Sequence, residues 1–287
     1  MTKSTFPLKK RILCIIPTVM ETLTLTVLGS GTGIPSLARS SSSIMIEIEG
    51  ELLLFDVGPG TMRRLLESGI TIDRISYLFI SHLHPDHTGE FVSLLFAGKY
   101  SGMEKRRTPL TIIGAKGLVN FYNGLRRVYG KWIEMAANAL VIHEMDKEKR
   151  DFMEFDSFDV TTMPMDHIES SIGFRVVLPD GRSLVYTGDT DYCENAVELS
   201  RDTDILVCEA AFPDEMKVEG HLTPSLSGKI ATESKAGVLV LTHFYPECMG
   251  VDIEAQCRDT YKGDLILAED LMQIELFPGG VMKRMTP

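Results

Sequence analysis

Short apolar runs closed by polar or glycine-containing turns recur along this chain, and stretches of helical spacing lie between them. Residues 22–28 alternate polar and apolar side chains, the pattern of a half-buried strand. Residues 40–49 and 51–55 predict a hairpin around Gly50, and a helix follows over 62–68. Residues 75–80 are a compact run rich in Ile and aromatics, the signature of a buried strand. After it, Phe91, Leu94, Leu95 and Ala97 recur at helical spacing within 89–100. The spacing then predicts a strand over 110–113, a helix over 116–129 and a strand over 140–144. A strand ends near Met163, another restarts at Gly173, and a third covers 182–186. A helix over 194–200, a strand over 205–208 and a helix from Pro224 to Lys235 come next. Thr223 as N-cap with Pro224 at the first helical position marks the start of that last helix. A strictly apolar strand over 238–241, a helix over 252–262 and a closing strand region over 265–276 complete the pattern. Periodicity alone therefore gives a mixed α/β chain. No linker divides it, and its length suits one domain.

Between the strand at 75–80 and the helix that follows lies Ser81-His82-Leu83-His84-Pro85-Asp86-His87-Thr88-Gly89. His82 and His84 are two apart and point to the same side of an extended segment. Asp86 and His87 lie beyond Pro85, which turns the chain, so they can serve a second centre nearby. Imidazole nitrogen and carboxylate oxygen are ligand types suited to zinc, and open sites of this kind are usually catalytic. Four such residues within six positions, in a chain with seven histidines, concentrate the chemistry at one loop.

Composition narrows the partners. Hydrophobic residues make up 44% and charged residues 24%, an ordinary globular balance, with a net charge of −11. An acidic chain is disfavoured as a purely electrostatic binder of large RNA. The five cysteines are widely spaced with no Cys-x-x-Cys, which points to a reducing, cytoplasmic setting. The apolar run at 12–16 is far too short to cross a membrane, and residues 1–19 read as an extension ahead of a domain spanning 20–287. Gly29-Ser30-Gly31-Thr32-Gly33 lacks the third glycine and the helix that a dinucleotide site needs, so it reads as a flexible turn near the site.

His-x-His-x-Asp-His after a buried strand resembles the metallo-β-lactamase superfamily. Leu-Gly-Ser-Gly-Thr-Gly-Ile-Pro with Arg39 and Ser41, then Phe-Asp-Val-Gly-Pro-Gly-Thr, resembles the opening of its ribonuclease Z branch. The resemblance spans roughly residues 21–250 and implies a four-layer αβ/βα sandwich with the site along one edge between the sheets. It implies one metal held by His82, His84 and His167, the last before Ser171-Ile172-Gly173-Phe174. It implies a second metal held by Asp86, His87 and His243. Asp189, within Thr187-Gly188-Asp189-Thr190, would bridge the two, although a cap on the helix at 194–200 is the plain alternative. Asp56 would support the metal loop rather than bind metal, with a turn or helix cap as the competing role. His221, in His-x-Thr at a helix start, would face the scissile phosphate. His143 has no ligand partner at a useful spacing and reads as an ordinary strand histidine.

The implied cofactor is a pair of divalent metal ions, zinc by first choice, with Mn or Fe also suited to the ligation. Two adjacent cations lower the pKa of a shared water toward ~7. Asp86 and His221 are the candidate catalytic groups, Asp86 in proton handling and His221 as acid or charge stabiliser. The expected reaction is hydrolysis of a small or unstructured phosphodiester, such as a cyclic nucleotide or short RNA. Ribonuclease Z proteins that grip tRNA carry a long arm between the third histidine and Gly-Asp-Thr, where residues 174–187 allow only a hairpin. Pro85, Thr88 and Glu90 also depart from the pattern of the tRNA processors. tRNA 3′ processing is the second reading, and a non-hydrolytic binding protein on the same fold the third. The branch further implies a homodimer.

Overall fold

The structure is a computed structural model that describes residues 22–101 and 109–284, so the extension expected at 1–19 lies outside the described residues. β1 (Leu23–Gly29), β2 (Ser43–Ile48) and β3 (Glu51–Phe55) form an antiparallel meander. Its predicted hairpin turns at Glu49 and Gly50, with φ of 51° and 78°. Two positive φ values give a tight turn whose twist matches the strands it joins. After α1 (Thr61–Glu67), β4 (Ile75–Ile80), β5 (Leu110–Ala115) and β6 (Leu140–Met145) continue the sheet in parallel. Their crossovers contain α2 (Pro85–Thr88), α3 (Phe91–Ser101) and α4 (Leu118–Tyr129).

A second sheet begins with the antiparallel strands β7 (Asp151–Glu154), β8 (Asp159–Pro164), β9 (Ile172–Val177) and β10 (Ser183–Tyr186). It ends with β11 (Ile205–Glu209), β12 (Val238–Thr242) and β13 (Asp264–Leu267), all parallel to β10. α5 (Glu194–Leu199), α6 (Pro224–Ser234) and α7 (Ile253–Thr260) supply these crossovers. β14 (Gln273–Phe277) then returns to the first sheet beside β1, and β15 (Gly280–Arg284) forms its edge.

Three apolar clusters explain the layering. Leu25, Ile46, Phe55 and Phe79 meet Phe174, Tyr186, Val207 and Val240 between the sheets. Leu54, Leu78 and Ile112 pack on Phe91, Leu94 and Leu118 of the helices outside the first sheet. Val185, Leu206 and Leu239 pack on Ala196, Ile230 and Cys257 outside the second. Each sheet thus buries both faces, which gives the expected four-layer αβ/βα sandwich.

Two expectations are corrected. β1 is not half-buried, because helices cover its second face and even Thr26 is 1% exposed. The closing region at 265–276 is two strands in two different sheets, separated by a crossing loop at 268–272. The first differs because alternation reports one strand's side chains and not what lies over them, the second because strand character does not say which sheet a segment joins.

The candidate residues all follow the carboxyl ends of strands β3, β4, β8, β10, β11 and β12, the usual location of sites in open α/β sheets. Gly58 shows how tightly these loops pack. A Cβ there would stand 2.0 Å from the Asp86 carbonyl oxygen and 2.7 Å from the Ser41 Cβ. The Asp56–Gly60 turn thereby seats the loop that carries Asp86.

Candidate metal centre

The seven expected ligands converge in two groups. His82, His84 and His167 form one, and Asp86, His87, Asp189 and His243 the other, each with its donor atoms within 4.8 Å of one another. His167 Nε2 lies 3.0 Å from His84 Nδ1, and His87 Nε2 lies 3.3 Å from His243 Nε2. Asp189 sits between the groups. One or other of its oxygens is 3.2 Å from His87 Nε2, 3.3 Å from His243 Nε2 and 3.8 Å from His82 Nε2. Asp189 is no helix cap, for α5 begins after Cys193. His143 lies exposed on β6, outside both groups.

The residues present fit divalent metal. His82 Nε2 is buried without a hydrogen-bond partner, and an orphaned buried polar atom costs about 1–3 kcal/mol. A cation there removes that cost, and the imidazole–carboxylate donor set suits Zn, Mn or Fe. The histidines are also oriented for it. His87 Nδ1–H donates to Asp56 Oδ2 at 2.7 Å, and His167 Nδ1–H donates to the Gly220 carbonyl at 2.7 Å. The Ser81 hydroxyl donates to Asp56 at 2.7 Å, so His82 Nδ1–H must donate to Ser81 Oγ at 3.1 Å. Each contact fixes the tautomer that leaves Nε2 free as a ligand.

Asp56 is the hub of this support. It is fully buried and accepts from Ser81 N–H, the Ser81 hydroxyl, His87 and the Tyr186 hydroxyl, all at 2.7–2.8 Å. Its φ is 58° and that of His243 is 60°, so two site residues sit in the strained left-handed region.

Charge is distributed unevenly. Burial holds His82 well below and His167 below the usual histidine range, so both are neutral. Burial also works against a charge on His87, but Asp189 and Asp56 outweigh it and hold the imidazole well above that range. For Asp189, burial is outweighed by His243 and His87, and its carboxyl lies well below the usual value.

His221 faces the same space. Its Nδ1 is 3.9 Å from Asp189 Oδ2, and its ring centroid is 4.7 Å from that of His167. Thr223 occupies the N-cap position of α6, but its hydroxyl caps no backbone N–H. His221 is instead held by Glu209, a carboxylate at the end of the otherwise apolar β11, at 3.1 Å. Burial pulls the His221 imidazolium down, yet the Glu209 hydrogen bond and charge raise it above its ordinary value. Glu209 itself is raised by burial. No motif marks Glu209 or Tyr186; a lone carboxylate closing a buried apolar strand is the signal the sequence carries for the first.

The departures at the metal loop have local causes. Pro85 opens α2, the Thr88 hydroxyl donates to the His84 carbonyl, and Glu90 accepts from the N–H groups of Gly60 and Met62 to cap α1.

Residues 52–244 match the family model described as "Beta-lactamase superfamily domain". The chain belongs to the metallo-β-lactamase superfamily. Its relatives include the ribonuclease Z of Methanosarcina acetivorans, 29% identical over 308 positions that cover 88% of this chain and 98% of that protein. Among solved structures, the short form of human tRNase Z (ELAC1) is 28% identical with a TM-score of 0.74, over 89% of this chain and 99% of that one. The metallo-β-lactamase fold protein YhfI of Bacillus subtilis aligns with a TM-score of 0.76 at 22% identity, over 89% and 99%. Within the superfamily the chain lies in the ribonuclease Z-like branch.

Proposed function

We propose that this chain, a metal-dependent hydrolase, cleaves a small or unstructured phosphodiester such as a cyclic nucleotide or short RNA. The observation that carries this reading is the two adjacent ligand groups with Asp189 between them and His221, held by Glu209, facing them. His82, His84 and His167 would hold one divalent cation, and Asp86, His87 and His243 the other, with Asp189 between. Bound cations supply Lewis acidity and lower the pKa of water toward ~7. Among the protein's own groups, Asp189 and Asp86 place negative charge beside the histidines and orient them. His221 holds a proton next to the reacting group, to stabilise developing charge or pass to the leaving oxygen, and Glu209 keeps it there. Asp86, 3.5 Å from His243 Nε2, would take part in proton handling, a reading this proximity supports.

The substrate preference rests on what surrounds the centre. Between the third histidine and Asp189 the chain makes only the β9–β10 hairpin. The ribonuclease Z alignment runs over 308 positions while using 88% of a 287-residue chain, so that relative carries stretches this one skips. With a net charge of −11, this favours a short substrate over folded RNA. tRNA 3′ processing is the second reading, favoured by the names of ribonuclease Z from M. acetivorans and human tRNase Z. A non-hydrolytic role is disfavoured because no expected ligand is missing.

The reading extends to zinc as the metal, a cytoplasmic location and a homodimer. Cys193, Cys208, Cys248 and Cys257 are free, and no helix among the described residues is long and apolar enough to cross a membrane. Residues 20–287 would form the single hydrolase domain. The test is elemental analysis followed by kinetics. About two metals per chain, chelator-sensitive turnover of bis(p-nitrophenyl) phosphate and slower cleavage of precursor tRNA are expected. Fewer than one metal per chain at neutral pH would overturn the reading, and faster precursor-tRNA cleavage would reverse the order of substrates.

A further inference from the structure

We propose that the cleft beside Tyr245 seats the nucleobase of a nucleoside phosphodiester and that Tyr245 sets this specificity; the inference rests on the phosphodiesterase reading above. A cleft of about 250 Å³ opens between two loops. Ile34, Pro35 and Arg39 line one side, and Phe244, Tyr245 and Met249 line the other. Each side adjoins a different ligand of the same centre. Gly33 packs against Asp86, where a Cβ would stand 3.4 Å from the Asp86 Cβ, and Phe244 and Tyr245 directly follow His243. The two loops that wall the cleft are thus the loops that run directly into the centre.

Tyr245 forms the boundary between cleft and centre. Its ring stands edge-on to His243 and His221, with centroids 5.8 Å and 6.0 Å away. Phe212 stacks behind it at 4.3 Å and 21°, which makes a stiff flat aromatic pair beside the reacting position. Nucleobases stack on such rings whatever their sequence, because every base has a π-face. Among the described residues Arg39 is the one charged side chain lining the cleft, and its guanidinium lies 4.8 Å from the Phe244 centroid while donating to the Ser30 hydroxyl and the Ala268 carbonyl, so what faces the cleft is largely apolar and aromatic surface. The volume lies below the ~300–1,000 Å³ of drug-sized sites, so it admits one ring system and excludes a duplex.

The test compares two esters with the same leaving group, thymidine 5′-(p-nitrophenyl phosphate) and methyl p-nitrophenyl phosphate, on the metal-loaded full chain. The nucleoside ester should have the higher kcat/KM. Tyr245→Leu should lower that preference roughly tenfold, chiefly through KM, and Tyr245→Phe, which keeps the ring, should retain it. Met249→Glu, at a 79%-exposed position where folding is not at stake, should lower it as well by placing an anion in the cleft. Equal losses on both esters would overturn the subsite, for Tyr245 would then merely shape His243 and His221. Equal wild-type rates on both esters would overturn it too, while leaving the phosphodiesterase reading intact. Failure to cleave either ester, with turnover of a phosphomonoester or thioester instead, would sink that reading and this inference with it.

Discussion

Glu209 Oε1 lies 3.1 Å from His221 Nδ1, and the carboxylate is only 1% exposed although it closes a strand of apolar residues. A buried carboxylate is costly unless a partner uses its charge, and here it lifts the His221 pKa above its ordinary value. His221→Ala should lower kcat roughly 10²–10⁴-fold and leave metal content unchanged. Glu209→Gln keeps the shape and removes the charge, so the His221 pKa falls. The protonated form is then lost at a lower pH as pH rises, and the alkaline limb of the kcat profile should move downward. An unmoved limb in Glu209→Gln would separate Glu209 from His221 chemistry.

Metal should leave in two steps as pH falls. His82 and His167 are neutral through burial and have no proton to release on binding. His87 is held protonated in the metal-free chain by Asp189 and Asp56, so cation uptake on its side must expel that proton. Its raised pKa stabilises the metal-free fold fully below the unfolded value of ~6.5, and this is lost as pH rises through the folded value. Metal-free protein should accordingly lose stability on the alkaline side, where loaded protein does not. Elemental analysis after dialysis at stepped pH should show two separate losses, and in His87→Ala the loss at the higher pH should be missing. A single concerted loss would contradict this.

Asp56→Ala should cost about 3–5 kcal/mol of stability and weaken metal binding roughly 10–100-fold, because it orphans four buried donors at once. Tyr186→Phe removes one of the four and keeps the ring packed 5.9 Å from that of Phe55. It should cost about 1.5–3 kcal/mol and leave metal content intact. Thermal denaturation with metal analysis on both variants checks the ordering.

Burial pushes the thiols of Cys208 and Cys257 up to about 12 and that of Cys248 up to about 11. The thiolate is the reactive form, so all three should resist iodoacetamide at pH 8 in native protein. Cys193 is partly exposed and should alkylate before them. Peptide mapping by mass spectrometry reads the order, and early labelling of Cys208 would contradict the packing around β11.

By itself the sequence determined which residues could do chemistry and roughly which strands and turns carry them. The spacing of His82, His84, Asp86 and His87 is local, and so are the strand before them and the hairpin at Gly50, where neighbouring residues set the backbone. His167, Asp189, His221 and His243 are singled out by the family resemblance, which places a ligand or catalytic group at the end of each of these strands or ahead of the helix at 224; strand and helix patterning alone does not choose them. Only the tertiary structure decided what holds those side chains. Asp56 meets Tyr186 across 130 positions, Glu209 meets His221 across a loop, and Gly220 fixes His167 from 53 residues away. The division of residues 265–276 between two sheets was equally hidden. Periodicity records which face of an element is apolar, whereas a hydrogen bond between distant loops depends on how whole layers stack, and that leaves no period in the chain.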